Sequence, residues 1–233
     1  MEPDSIAPEH RAFVDRLMDV GARKYHDKHR FHQLMNAGKL SREAMQLWAL
    51  NRFHYQRTIP LKDAAIMSNM PDAALRRRWM QRIVDHDGTA EGNGGLEAWL
   101  RLVEATGAKR EDAISGKYLL PGVRFAVDAY LTFARTRPWQ EAVASSLTEL
   151  FAPKLHAARI SAFPEVYPWM DKEGLAYFKK RIGQANADVA HGLSIVVDHF
   201  RTPAQQDRVV EILEFKCDLL WATLDAIEKA AGV

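Results

Sequence analysis

The sequence predicts an all-α fold, a single-domain bundle of about seven helices, and three observations carry that prediction. Strand signals are nearly missing: there is no alternating β-branched run and no hairpin turn between apolar segments. Apolar residues recur at helical spacing along the chain. Residues that start and stop helices divide it into segments with short connections. No linker-like break, repeat or low-complexity stretch interrupts residues 1–233, which read as one domain.

Taken in order, a first helix is expected from about Glu9 into the stretch "KYHDKHRFHQLM", with Phe13, Val14, Leu17 and Met18 on one face. Ser41 is a good N-cap for a second helix that reaches Asn69 and stops at Met70-Pro71, with a kink expected at Pro60. A third runs from Asp72 to Asp87 and ends at Gly88. The glycine-rich loop "GTAEGNGG" follows and is expected to be mobile. Then come "LEAWLRLVEATG", "GVRFAVDAYLTFART" after Pro121, and "PWQEAVASSLTELFA" after Arg137. A long helix from about Lys172 to Arg201 and a last one after Thr202-Pro203 complete the set.

The bulk composition narrows the function classes. Lys and Arg number 32 against 30 Asp and Glu, a formal charge of +2, which argues against nucleic acid or a membrane surface as partner. The only cysteine is Cys217, so an internal disulfide framework and a Cys-rich metal or iron–sulfur site are excluded, and a reducing compartment such as the cytoplasm fits. The start "MEPDSIAPEHRAF" is acidic and broken by prolines, unlike a signal peptide. No apolar run approaches the roughly 18 residues of a membrane span.

The informative step is to place polar residues on these helices at about 100° per residue. In the last helix Val209, Ile212, Leu213, Leu219, Leu220 and Ile227 form one stripe, and Lys216 falls in its middle. Such a lysine either snorkels outward or meets an anion inside. Arg52 lies among Met45, Trp48, Ala49 and Ile59 with Gln56 one turn on, while Leu47, Leu50, Phe53 and Leu61 cover the opposite side. Arg82 and His86 share a face with Leu75, Trp79 and Ile83. Tyr177 and Arg181 are i,i+4 neighbours beside Phe178 and Ala185, with Asp188 two turns later. Each alone fits a satisfied core group, a helix-end histidine or a surface pair. Together they describe a pocket rich in cations and poor in carboxylates, suited to an anionic, oxygen-rich small molecule.

Other site types fit less well. A di-iron bundle needs several inward Glu and two Glu-x-x-His pairs, and this chain offers only Asp188-x-x-His191. Haem needs an axial ligand in a mainly apolar pocket. No nucleophile elbow is present, and "GTAEGNGG" follows a helix, not a strand, which makes it a poor phosphate cradle. Cys217, next to Lys216, reads as a small apolar filler.

The segments "NRFHYQRTIPLKDAAIMSNMPD", "RRRWMQRIVDHDG", "GGLEAWLRL", "LPGVRFAVDAYLTFAR", "SSLTELFAP" and "EILEFK" closely resemble the pyrroloquinoline-quinone (PQQ) synthase family, from about Tyr25 to Asp225. The resemblance implies a haem-oxygenase-like bundle, with helices circling a central one, and a homodimer. It also implies an oxidoreductase. That family closes a ring and removes eight electrons from a bicyclic polycarboxylate precursor to give PQQ. Molecular oxygen is the acceptor, hydrogen peroxide is formed, and no metal or redox cofactor takes part.

By position, the family's pocket falls on Tyr25, His26, Arg52, Gln56, Lys62, Arg82, His86, Tyr130, Thr148, His156, Tyr177, Arg181 and Lys216. The resemblance makes His86 the main acid/base residue and His156 a second proton-transfer group, just past a helix-breaking Pro153. It makes Tyr177 and Arg181 the cap of the site and of an oxygen pocket. The rest would hold the carboxylates and quinone oxygens of the substrate and of the bound product. His26, His29 and His32 span about 120° of a helix, too wide for one metal edge. His26 matches a pocket position, whereas His29 and His32 read as structural or solvent-facing. Two rival readings are a metal-dependent oxygenase using Asp188 and His191, and a non-catalytic carrier of PQQ or another anion. Family members carry a further tail beyond "AIEKAAGV", so a longer native chain, or a fusion with the pathway's small carrier protein, is an expectation.

Overall fold

Ser41 starts the helix on which the molecule is built. In the structure, a computed structural model, its Oγ accepts from Ala44 N at 3.2 Å, as an N-cap oxygen does for an otherwise orphaned donor. The structure describes residues 7–233, apart from the side chains at 185–187. The acidic start before Ala7 and the side chain of Ala185 lie outside the described residues.

Eleven α-helices are present among the described residues, with no strand, against the about seven expected. They are α1 (Arg11–Lys24), α2 (Arg30–Asn36), α3 (Arg42–Ser68), α4 (Ala73–Asp87), α5 (Gly94–Ala105), α6 (Arg110–Ser115), α7 (Pro121–Thr136), α8 (Trp139–Ala144), α9 (Ala152–Val166), α10 (Ala176–His199) and α11 (Pro203–Ala231). The central helix is α3, which packs against α4, α5, α6, α7, α8 and α11. It serves both apolar clusters of the molecule, one through Trp48 and Phe53, the other through Ile66. A helix buried on several sides shows no single apolar stripe, and α3 alternates polar and apolar residues all round. Pro60 does not end it. The missing N–H leaves the Gln56 carbonyl without its helical donor, at a residue that lines the cavity described below.

The other boundaries follow local chemistry. Asp72 caps α4 by accepting from Leu75 N at 2.8 Å, and Gly88 ends it at φ 84°. Thr202 and Gln205 form a reciprocal capping box at the start of α11, with Pro203 in its first turn. The segment after Arg137 is three elements where one was expected. Ser145 Oγ donates to Ala142 O at 2.6 Å at the end of α8. A 3-10 turn Leu147–Leu150 follows. Pro153 sits in the first turn of α9, so it starts a helix and does not break one. Two side chains expected inside, Met18 and Leu61, are exposed.

The first helix ends at Lys24 because Tyr25 turns extended, at φ −65° and ψ 142°. The histidine stretch is therefore no single helix. His26 opens a 3-10 turn, His29 is the N-cap of α2, and His32 lies within α2. All three are buried, which overturns the solvent-facing reading of His29 and His32. No helix among the described residues is long and apolar enough to cross a membrane.

Candidate active site

Eight elements converge on one cavity. Its empty volume is about 550 Å3, open solvent at the mouth included. Tyr25 and His26 come from the turn before α2, and Arg52, Tyr55 and Gln56 from α3. His86 comes from α4 and Trp99 from α5. Thr148 and Glu149 come from the 3-10 turn, His156 and Arg159 from α9, Tyr177 and Arg181 from α10, and Leu220 from α11. Nine of the thirteen residues named from the sequence line this cavity: Tyr25, His26, Arg52, Gln56, His86, Thr148, His156, Tyr177 and Arg181. Lys62, Arg82, Tyr130 and Lys216 are buried but stand outside its wall.

The cavity has two electrostatic ends. At one, Arg82 donates to Glu149 at 2.5 Å and to Asp63 at 3.3 Å, with Asp188 at 3.4 Å. Arg181 adds contacts to Asp188 at 3.3 Å and Glu149 at 3.7 Å, and Lys62 donates to Asp63 at 2.6 Å. Burial pushes the Glu149 carboxyl up, but Arg82 and Arg181 outweigh it and hold the group below the usual carboxylate range. Burial wins at Asp188, which rises to about 6. The expectation of a carboxylate-poor pocket thus fails at this end. At the other end Arg52 lies 3.9 Å over the Tyr55 ring, and Arg159 lies between the Trp48 and Phe178 rings. Among the described residues, neither has a carboxylate within 4.0 Å. Burial, then Arg52, lowers the Arg159 guanidinium to about 9. The wall itself carries three guanidiniums, of Arg52, Arg159 and Arg181, against the one carboxylate of Glu149.

His86 stands where α4 meets α5. Gly94 has φ 90°, and a Cβ there would come within 2.7 Å of the His86 carbonyl oxygen, so only glycine lets α5 begin so close. The loop before it is tied by Asn93 Oδ1, which accepts from Thr89 N at 2.9 Å. His86 Nδ1 donates to Arg82 O at 3.0 Å, because a carbonyl can only accept. Nε2 is then the lone-pair nitrogen, and it is buried without a partner. Burial, then Arg181, lowers this imidazole to about 3, so it is a neutral base at ordinary pH. His156 is likewise held neutral by burial and by Arg159. Tyr177 Oη donates to Gln56 Oε1 at 2.9 Å, and burial raises its phenol although Arg181 opposes.

Lys216 does not snorkel. Its Nζ is buried without a hydrogen-bond partner, 3.1 Å from the Tyr130 ring centroid and 4.4 Å from that of Tyr55. Burial, then Arg52, lowers its pKa well below 10.5. Below that value the unfolded lysine holds its proton more firmly than the folded one, which costs stability. Above it both forms are neutral and the cost vanishes. Lys216→Met is therefore expected to raise Tm by about 2–4 °C near neutral pH, the effect of about 1 kcal/mol in a chain of this size. The gain should shrink toward pH 10.5 in thermal melts. A lower Tm at pH 7 would mean that the ring contacts outweigh desolvation. Its neighbour Cys217 has its thiol pushed up to about 12 by burial, which suits a filler and not a nucleophile.

The TENA/THI-4/PQQC family model matches residues 14–226. The chain belongs to the TENA/THI-4/PQQC family. Within this family, it is 53% identical over 227 residues to a pyrroloquinoline-quinone synthase of Klebsiella pneumoniae, covering 97% of this chain and 89% of that one. It is 53% identical over 226 residues to the protein of that name in Pseudomonas aeruginosa, covering 97% and 90%. Its fold is similar to a TenA homolog from Pseudomonas syringae (TM-score 0.76, 15% identity, 98% and 96% covered). It is also similar to a domain with a haem oxygenase-like fold from Shewanella denitrificans (TM-score 0.72, 14% identity, 95% and 90% covered). The fold of this TENA/THI-4/PQQC chain is thus haem-oxygenase-like and all-α.

Sequence reasoning missed Arg159, Glu149, Tyr55 and Trp99 on the wall, and Asp63 behind it. Arg159 could have been found: it lies three residues after His156, hence on the same helix face, but the helix that carries both was not anticipated. Asp63 follows Lys62 directly, and adjacent residues of a helix do not ordinarily face each other, so spacing gave no warning of that pair.

Proposed function

We propose that the chain is a pyrroloquinoline-quinone synthase. It would carry out ring closure and eight-electron oxidation of a bicyclic polycarboxylate precursor, with O2 as acceptor, H2O2 as by-product and no metal or organic redox cofactor. The observation that carries the reading is a cavity with an excess of guanidiniums on its wall and, on the same wall, a neutral imidazole whose Nε2 has no partner. The name and high identity of the relatives support it.

In this reading Arg52 and Arg159 take the substrate's carboxylates, since both guanidiniums are without carboxylate partners in the described structure and desolvated anions bind forked donors well. His86 Nε2 removes a proton from the bound precursor, and the dianionic or enolate form is electron-rich enough to reduce O2. Arg181 stabilises the negative charge that develops on reduced oxygen, and Tyr177 and His156 supply or accept further protons. Lys62, Arg82, Tyr130 and Lys216 act one layer back, by setting the field and holding the wall. Turnover belongs in the cytoplasm, and a second copy of the chain is the proposed partner, for which the exposed Phe125, Leu61 and Ile114 supply apolar surface.

The metal-dependent alternative is less well supported. The Asp188 carboxylate is committed to Arg82 and Arg181. Among the described residues the cluster with metal-donor spacing is His29, Asp225 and Glu228, outside the cavity. There His29 Nδ1 already accepts from Phe31 N, and Glu228 is paired with Arg30.

The test is to mix the purified protein with the precursor under air and to follow the PQQ spectrum with O2 uptake. Binding of PQQ without O2 consumption would favour the carrier reading, and loss of activity with chelator would favour the metal one. Exclusion of water during oxygen chemistry makes a further prediction. Added PQQ is expected to slow hydrogen exchange in the first turns of α10, around Tyr177 and Arg181. Unchanged exchange there would mean that the site does not close over its product.

A further inference from the structure

His32 is buried in α2 and lies outside the cavity wall, yet it touches two residues of that wall. Its Nδ1 is 2.9 Å from the main-chain oxygen of His26. Its Nε2 is 2.9 Å from Nη2 of Arg159. A carbonyl only accepts and a guanidinium only donates, so the two contacts together require one tautomer: Nδ1 carries the hydrogen and Nε2 offers the lone pair. A protonated ring would set two donors face to face at Arg159. Burial, then the charge of Arg159, keeps the ring neutral.

The Arg159 guanidinium has few other holds. Its Cζ is 5.1 Å from the Trp48 ring and 5.4 Å from the Phe178 ring, contacts that supply no hydrogen bond to fix its rotation. Its Nε has no hydrogen-bond partner. His32 is the polar contact that fixes which way its fork points. At the same time it anchors the main chain of His26, whose own Nδ1 is unpartnered and whose side chain lines the cavity.

We propose that His32 is a positioning residue for substrate anion recognition: as the Nδ1–H tautomer it clamps Arg159 to the backbone of His26 and presents both to a carboxylate of the bound molecule. The inference rests on the proposed synthase reading and deepens it, since it names what orients the anion subsite. It gives the histidine stretch a division of labour. His26 faces the ligand, His29 caps α2, and His32 holds the first against a residue about 130 positions away in sequence, a reach that only tertiary packing supplies.

Two substitutions separate the contacts. In His32→Gln the amide oxygen replaces Nε2 as acceptor for Arg159. In His32→Asn the amide nitrogen replaces Nδ1 as donor to His26 O, and Arg159 is left unheld. His32→Met removes both at similar volume. Titration with PQQ, read by protein fluorescence, is expected to show His32→Gln within about threefold of wild type. His32→Asn and His32→Met should bind about 10–100-fold more weakly, the loss expected for an oriented charged hydrogen bond. In turnover the loss should fall on KM, with kcat changed less than about threefold. Long-range 1H–15N spectra of the wild type should show His32 protonated at Nδ1, a readout that needs neither ligand nor activity. Equal PQQ affinity in all three variants, a loss confined to kcat, or an Nε2–H tautomer would overturn the role. A purely structural residue would instead lower Tm without ordering the affinities as Gln, then Asn and Met. If wild type itself neither binds nor forms PQQ, the synthase reading falls, and the tautomer measurement still reports on the clamp.

Discussion

His86→Ala is expected to bind PQQ nearly as wild type does and to oxidise the precursor about 100–10,000-fold more slowly, the usual contribution of a positioned acid/base group. Both halves follow from one geometry. Nδ1 is tied to the Arg82 carbonyl, so Nε2 is the free base, and the ring is neutral down to about pH 3. Removing a neutral ring leaves the charge of the cavity unchanged, and at most one hydrogen bond to the ligand is lost, worth about tenfold in affinity or less. For the same reason the pH dependence of product binding in wild type and variant should superimpose above pH 5. Single-turnover absorbance with O2 uptake gives the rate, and equilibrium titration gives the affinity. A parallel loss of both would make His86 a binding residue. Near-normal oxidation would remove it from the chemistry and shift the base to His156, another neutral imidazole of the wall, whose ring lies 6.0 Å from that of Tyr177.

The fold and half of the site were legible for different reasons. Helix ends are local events, so Ser41 could be read as a cap, and Asp72 and Thr202 as helix starts, from their own neighbourhoods. The break between α8 and α9 was not legible, because "AVASSLTELFAPKLH" has helical periodicity throughout. Inward polar residues were visible as misfits on apolar faces, and that signal found Arg52, His86, Arg181 and Lys216. It could not distinguish a cation awaiting a ligand from one already neutralised. Arg82 and Arg52 look alike on a helical wheel, yet one is surrounded by three carboxylates from α3, the 3-10 turn and α10, and the other has none within ion-pair reach among the described residues. That difference is set by contacts between elements far apart in sequence, and no periodicity encodes it.

The same difference gives opposite stability predictions for two buried cations. Lys216, unpaired, should leave the protein more stable when replaced by Met, whereas Arg82→Met should lower stability by about 3–5 kcal/mol, or about 6–20 °C in Tm. Arg82 is 3% exposed and bridges Asp63, Glu149 and Asp188, with its Cζ 4.5 Å from the Trp79 ring. Without it the carboxylates of Asp63, Asp188 and the half-buried Glu149 share Lys62 and Arg181, and at least one must either stay charged without a partner or take up a proton. The pH dependence fixes the cause. In wild type Asp63 and Glu149 lie below their usual carboxylate values of 3.8 and 4.5. At both, burial opposes ionisation and the neighbouring cations outweigh it. Their contribution is thus fully present above the unfolded values and is lost as pH falls through the depressed folded ones. The gap in Tm between wild type and Arg82→Met should therefore be widest near pH 8 and should narrow as pH drops below about 4.5, which melts followed by circular dichroism can measure. A gap that is constant with pH would assign the loss to packing against Trp79, and no gap at pH 8 would mean that Lys62 and Arg181 alone neutralise this end of the cavity. Because Glu149 and Arg181 line the wall, the variant should also weaken whatever step depends on Arg181 being held in place, even though Arg82 itself never reaches the ligand space.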